Sequence, residues 1–175
     1  MQDAFPSCVL VAAAGNDGLP TTDAKQAGYL FTEDIYPAGY KYVIGVMATD
    51  NNKSLAYFSN WDFKEGSGCE YEMAAPGVGI YSTLPGNRYA CWSGTSMATP
   101  NVAAAAAILR SKDTDKSKYS SRYIMGQLCS ATTSRAYGFR SYPELNIRDS
   151  LTRQAHPNLT LDEVYTLDSV SYTHL

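Results

Sequence analysis

The sequence predicts an α/β fold, and three stretches carry that expectation. Cys8 to Ala14 reads Cys-Val-Leu-Val-Ala-Ala-Ala, a short and continuous apolar run. A run of this kind, without polar alternation, marks a strand buried on both faces, as in a parallel sheet covered on both sides. A second run, Val43-Ile44-Gly45-Val46-Met47, has the same character. Val102 to Leu109 is mostly alanine, the strongest helix former, and predicts a helix whose small side chains pack close against a sheet.

Composition sets the bounds. The chain has 175 residues, the size of one domain or most of one, and 45% of them are hydrophobic, enough for a sizeable core. A formal net charge of -3, with no concentrated basic stretch, argues against nucleic acid or an anionic membrane as a partner. No run reaches the ~18 apolar residues of a membrane-spanning helix. Met1-Gln2-Asp3-Ala4-Phe5 lacks the charged and then apolar layout of a signal peptide.

Taken in order, the first strand ends in Gly15-Asn16-Asp17-Gly18, a strong turn in which Asn and Gly tolerate positive φ. Leu19 to Glu33 is polar and loop-like, and Tyr36 onward passes from loop into the second buried strand. Asp50-Asn51-Asn52-Lys53 is a turn, and Leu84 to Tyr89 is a hairpin loop with Pro-Gly and Gly-Asn steps. After the alanine-rich helix, Lys112 to Lys118 is a charged connection. Tyr119 to Ala131 places Ile124, Met125, Leu128 and Cys129 on one helical face. His156 to Leu161 alternates like a strand and opens a tail, and Ser171 to Leu175 has the look of an adapter scar.

The four cysteines allow three pairings, and no Cys-x-x-Cys pair or His cluster suggests a metal. Cys8 and Cys129 read as buried thiols. Cys69 and Cys91, in polar surroundings, read either as a disulfide or as two free thiols.

The chemistry centres on Ser93-Gly94-Thr95-Ser96-Met97-Ala98-Thr99-Pro100, directly before the alanine run. Ser96 falls in the first turn of the expected helix, where unpaired N–H groups and the helix dipole favour negative charge. Pro100 fits that first turn, where its missing N–H costs nothing. A serine in this place is ordinarily an N-cap. It is also a place from which a hydroxyl can attack a carbonyl while local N–H groups hold the oxyanion.

Gly94 to Pro100 resembles, residue for residue, the nucleophile motif of the subtilisin-like serine proteases, the subtilases; the family's usual His after the Pro is Asn101 here. Ala13-Ala14-Gly15-Asn16 is similar to the family's oxyanion-hole segment. Tyr36-Pro37-Ala38 through Val46, Ala56-Tyr57-Phe58-Ser59-Asn60 and Ala75-Pro76-Gly77 through Thr83 resemble three further family elements. In the second of these the usual Gly is replaced by Asp62, and it corresponds to a family strand. The resemblance runs from about Cys8 to Leu151.

What it implies is a three-layer α/β/α sandwich around a mostly parallel sheet, and a serine endopeptidase acting on polypeptides at the cell surface or outside the cell. Ser96 becomes the nucleophile, Asn16 and the Ser96 N–H the oxyanion hole, and Ala13, Ala14 and Gly15 substrate contacts. A structural cation, calcium or monovalent, is implied at the carbonyls of Ala38, Tyr40 and Val43, and no cofactor is required.

The family also needs an Asp and a His, in that order before the serine. The only histidines, His156 and His174, follow Ser96, and both read as surface residues, as does Asp3. The expectation is therefore that the Asp, the His and the first strands lie upstream of Met1. On that reading 1–153 is the C-terminal part of a catalytic domain, 154–175 is a tail, and the chain alone is inactive or nearly so. Two alternatives stand beside it: a non-catalytic scaffold or binding module, and a fragment completed by a separate piece carrying the Asp and His. A nucleotide-binding domain is disfavoured, since no Gly-x-Gly-x-x-Gly or Gly-x-x-x-x-Gly-Lys string follows either buried strand.

Overall fold

The structure is a computed structural model and describes residues 8–63, 71–112, 120–131, 133–137 and 140–152. The first apolar run forms strand β1 (Val11–Ala13), shorter than the run itself, and the second forms β2 (Ile44–Thr49). β3 (Met73–Pro76) follows. Next come the hairpin strands β4 (Ile80–Leu84) and β5 (Arg88–Trp92), then helix α1 (Thr95–Ser111). Helix α2 (Ser121–Ser130), the strands β6 (Thr133–Tyr137) and β7 (Arg140–Glu144), and helix α3 (Ile147–Thr152) follow, and a short 3-10 helix, Thr22–Ala27, lies between β1 and β2 in the stretch expected to be loop.

The main sheet has the order β1-β2-β3-β7-β6. Its first four strands are parallel, in the register Val11↔Ile44, Val46↔Met73 and Ala74↔Glu144, and β6 closes it antiparallel to β7. This is the mostly parallel α/β sheet that the uninterrupted apolar runs predict. All six residues of β2 are buried. Side chains alternate across a strand, so the two faces feed two cores. Ile44, Val46, Ala48, Met73 and Ala75 meet the helices, where Ala98, Val102, Ala105, Ile124, Met125 and Leu128 are buried against them. Met47 and Ala74 point the other way, to a second core with Ala14, Ala38, Leu55, Tyr71 and Tyr142 that irregular segments cover. β1, at the outer edge, is only half-buried.

Helix α1 begins earlier than the alanine run suggests. Thr95 is its first residue, so Pro100 lies inside the helix rather than in its first turn. The ring leaves the Ser96 carbonyl without its usual i+4 donor. Neighbouring polar groups tie this segment down: Thr99 Oγ1 donates to the Thr95 carbonyl at 2.8 Å, and Asn101 Nδ2 donates to the carbonyls of Met97 and Pro76 at 3.2 and 3.1 Å. Asn101, where the family has His, thus fastens α1 to the end of β3.

Two other expectations change. Residues 54–61 form no named strand and contribute only isolated bridges, Thr49↔Leu55 and Pro20↔Trp61. Cys8 is exposed because β1 starts three residues later, whereas Cys129 is buried as expected. Cys91 is an exposed free thiol on β5, one of the two readings left open, and Cys69 lies outside the described residues. Asp3, His156, His174 and the tail from 153 onward also lie outside them. No helix among the described residues is long and apolar enough to cross a membrane.

Candidate active site

The carboxyl end of β1 and the amino end of α1 meet at the edge of the sheet, the place where open α/β folds carry their sites. Gly77 makes the meeting close. Its carbonyl accepts from Gly94 N at 2.8 Å. A methyl at Gly77 would lie 2.7 Å from the Ala48 methyl and 2.8 Å from the Gly94 carbonyl, so only glycine fits. The Ala-Pro-Gly step at the end of β3 thereby fixes where α1 starts.

Thr95 then joins that start to the turn after β1. Its N–H donates to Asn16 Oδ1 at 2.8 Å. Its hydroxyl lies 3.0 Å from Asn16 Oδ1 and 3.3 Å from the Gly15 carbonyl, either of which can take its one proton, and it accepts from Gly15 N at 3.3 Å. A backbone N–H can only donate, so the amide atom facing Thr95 must be oxygen. That fixes the orientation of the Asn16 amide and turns Nδ2 away from Thr95.

Ser96, the next residue, is exposed in the first turn, and Asn16 is exposed too. Among the described residues, the Ser96 hydroxyl, the Ser96 N–H and Asn16 Nδ2 have no hydrogen-bond partner. A hydroxyl and two uncommitted N–H donors therefore share one edge of the fold. Beside them a groove of about 660 Å³ is lined by Asn16, Asp50, Tyr57, Phe58, Val78 and Ser93. The Ser93 hydroxyl accepts from Gly79 N at 2.9 Å, tying the β4–β5 hairpin to the groove wall.

Of the expected substrate contacts, Ala13 and Gly15 retain exposed surface, but Ala14 does not. It is fully buried, packed in the second core with Met47 and Ala74, because alternation along the strand turns it inward. Ala38, Tyr40 and Val43 lie in a compact turn, in which the Tyr40 carbonyl accepts from Val43 N at 3.0 Å and Tyr42 takes φ 67. No group of three or more His, Cys, Asp or Glu side chains that could hold a metal occurs among the described residues.

Two residues went unassigned in the sequence although each stands inside a motif. Thr95 holds the Asn16 amide, and Asn60 grips the turn on the other side: Asn60 N donates to the Gly15 carbonyl at 3.1 Å, and Asn60 Oδ1 accepts from Asp17 N and Leu19 N at 2.9 and 3.0 Å. Both contacts join residues far apart in the chain, which no local pattern reveals.

Comparison with known proteins agrees with this architecture. The family model of the subtilase family matches residues 3–148. Subtilisin DY of Bacillus licheniformis is 47% identical over 104 residues, covering 59% of this chain and 33% of that protein. The thermophilic serine proteinase of Bacillus sp. (strain AK1) is also 47% identical over 104 residues, covering 59% of this chain and 21% of that protein. The chain thus spans about a third or less of these relatives. Among solved structures, the prenylagaramide maturation protease PagA superposes with a TM-score of 0.64 at 28% identity, covering 82% of this chain and 49% of that one. The epidermin leader peptide processing serine protease of Staphylococcus aureus superposes with a TM-score of 0.65 at 27% identity, covering 83% and 40%. The sheet order, the Ser96-bearing helix start and the family match converge: this chain belongs to the subtilase family.

Proposed function

We propose that this chain is the serine-bearing part of a subtilisin-like serine endopeptidase. The observation that carries the reading is the oriented Asn16 amide, pinned at Oδ1 by Thr95 and uncommitted at Nδ2, next in space to the exposed helix start that holds Ser96. Ser96 Oγ attacks the scissile carbonyl. The carbonyl oxygen becomes an oxyanion, and Asn16 Nδ2 and Ser96 N–H donate to it. The tetrahedral species collapses to an acyl-serine as the amine leaves, and water then hydrolyses the ester. A His must take the serine proton and return it to the leaving amine, and an Asp must hold that His in the right tautomer. We assign both to a segment upstream of Met1, or to a separate piece that completes the sheet at the half-buried edge strand β1.

The same reading takes polypeptides as substrates, along the groove beside Asn16 and the exposed surface of Ala13 and Gly15. It places the parent protein outside the cell or at its surface. It also includes a structural cation on the carbonyls of Ala38, Tyr40 and Val43, whose test is a lower Tm in chelator that added calcium or potassium restores. The catalytic test is hydrolysis of a fluorogenic peptide by the 175-residue chain alone and by the protein with its upstream segment. Turnover only in the longer protein, abolished by Ser96→Ala, supports the endopeptidase. No turnover in either, with peptide binding retained, supports the non-catalytic module instead.

A further inference from the structure

We propose that Asn60 is a positioning residue for the oxyanion-binding amide of Asn16; the proposal rests on the endopeptidase reading above. Asn60 is fully buried, between the turn after β1 and the segment leading to Trp61. It holds the residues on both sides of Asn16 and never Asn16 itself. Its N–H donates to the carbonyl of Gly15, just before Asn16. Its Oδ1 accepts the N–H of Asp17, just after Asn16, and that of Leu19. These bonds define the backbone path from which the Asn16 side chain departs.

The other half of the Asn60 amide shows what the residue is for. Nδ2 is buried and has no hydrogen-bond partner. A buried donor left unpaired is unfavourable, so an amide is a poor choice here for stability alone. Nδ2 instead fills the space beside the turn: it lies 2.5 Å from where a Gly15 side chain would begin. Gly15 takes φ +104, a conformation glycine adopts freely, and the Asn60 amide occupies the place that a side chain there would take. Thr95 fixes the Asn16 amide through Oδ1, and Asn60 fixes the backbone of Gly15 and Asp17 on either side of it. The Asn16 side chain and the backbone it departs from are thus both set before substrate arrives, as preorganised oxyanion stabilisation requires.

A residue that acts through Asn16 leaves a specific kinetic mark. In the protein that includes its upstream segment, Asn60→Ala lowers kcat by about 10- to 100-fold, the range for a catalytic group displaced by up to an ångström, while KM stays within about twofold. On an Asn16→Ala background the same substitution changes kcat little, because groups that act as a unit are not additive. An equal fall on both backgrounds, or no fall on either, overturns the proposal. Asn60→Ser, smaller but still polar, serves where Asn60→Ala does not fold. If the wild-type protein turns over no peptide, the endopeptidase reading fails, and hydrogen exchange decides the positioning separately. Asn60→Ala speeds exchange at the Asp17 and Leu19 amides while the β2 amides keep their protection; unchanged exchange at Asp17 and Leu19 overturns it.

Discussion

The backbone N–H of Thr95 donates to Asn16 Oδ1 at 2.8 Å and leaves Asn16 Nδ2 as the uncommitted end of the amide. One hydrogen bond thus joins the first residue of α1 to the turn after β1 and decides which end of an amide is offered to a ligand. Ser96 follows Thr95, so the contact that orients the donor also sets where the hydroxyl stands relative to it.

Removing the donor tests that arrangement. In the protein completed by the proposed Asp- and His-bearing segment, Asn16→Ala lowers kcat with little change in KM, because the oxyanion exists only in the transition state and intermediate. The expected fall, about 10²–10³-fold, is a magnitude that belongs to subtilisin itself rather than to the distances given above. Steady-state kinetics on a peptide substrate check it.

Thr95→Val keeps the N–H bond to Asn16 and removes the hydroxyl, which lies within 3.3 Å of Gly15 N, the Gly15 carbonyl and Asn16 Oδ1. The expected outcome is a fall in kcat smaller than that of Asn16→Ala, with Thr95→Ser close to wild type. If the hydroxyl serves stability alone, Thr95→Val instead lowers Tm and leaves kcat of the folded protein unchanged.

Gly15→Ala brings two faults together. A side chain at φ +104 is strained, by roughly 1–2 kcal/mol on the scale of left-handed L-residues. Its Cβ would also lie 2.5 Å from Asn60 Nδ2 and 2.9 Å from Ile35 Cγ1. Both a lower Tm and a lower kcat are expected, measured by thermal melts and peptide turnover. Gly28→Ala, at φ +88 but with nothing near its Cβ, separates strain from collision and lowers Tm less.

Leu128→Ala tests the helical core away from the site. Leu128 is fully buried on α2, in the cluster that includes Val102, Ile124 and Met125. Deleting such a side chain costs about 2–5 kcal/mol, read from urea unfolding.

Much of this was legible in the sequence. The continuous apolar runs announced β1, β2 and their parallel pairing; full burial on both faces holds for β2, whereas β1 is only half-buried because it lies at the outer edge of the sheet. Ile124, Met125, Leu128 and Cys129 announced the buried face of α2 by spacing alone. The Gly94–Pro100 string announced a helix start carrying Ser96. Other features were hidden because they depend on long-range contact. Pro100 read as a first-turn residue, yet the Gly77–Gly94 bond draws the helix start back to Thr95 and leaves the proline inside. Cys8 read as buried from its apolar neighbours, yet the pairing with β2 begins at Val11. Ala14 read as a substrate contact, yet the pleat turns it into the core. The roles of Thr95 and Asn60 follow from hydrogen bonds between residues distant in the chain.

The most direct test is covalent labelling of the protein, completed by the proposed Asp- and His-bearing segment, with a fluorophosphonate, which reacts with activated serines. One phosphonyl adduct is expected, found on Ser96 by peptide mass spectrometry and lost together with peptidase activity in Ser96→Ala. Peptidase activity that survives Ser96→Ala, or an adduct on another serine alone, would contradict the assignment of Ser96 as the nucleophile.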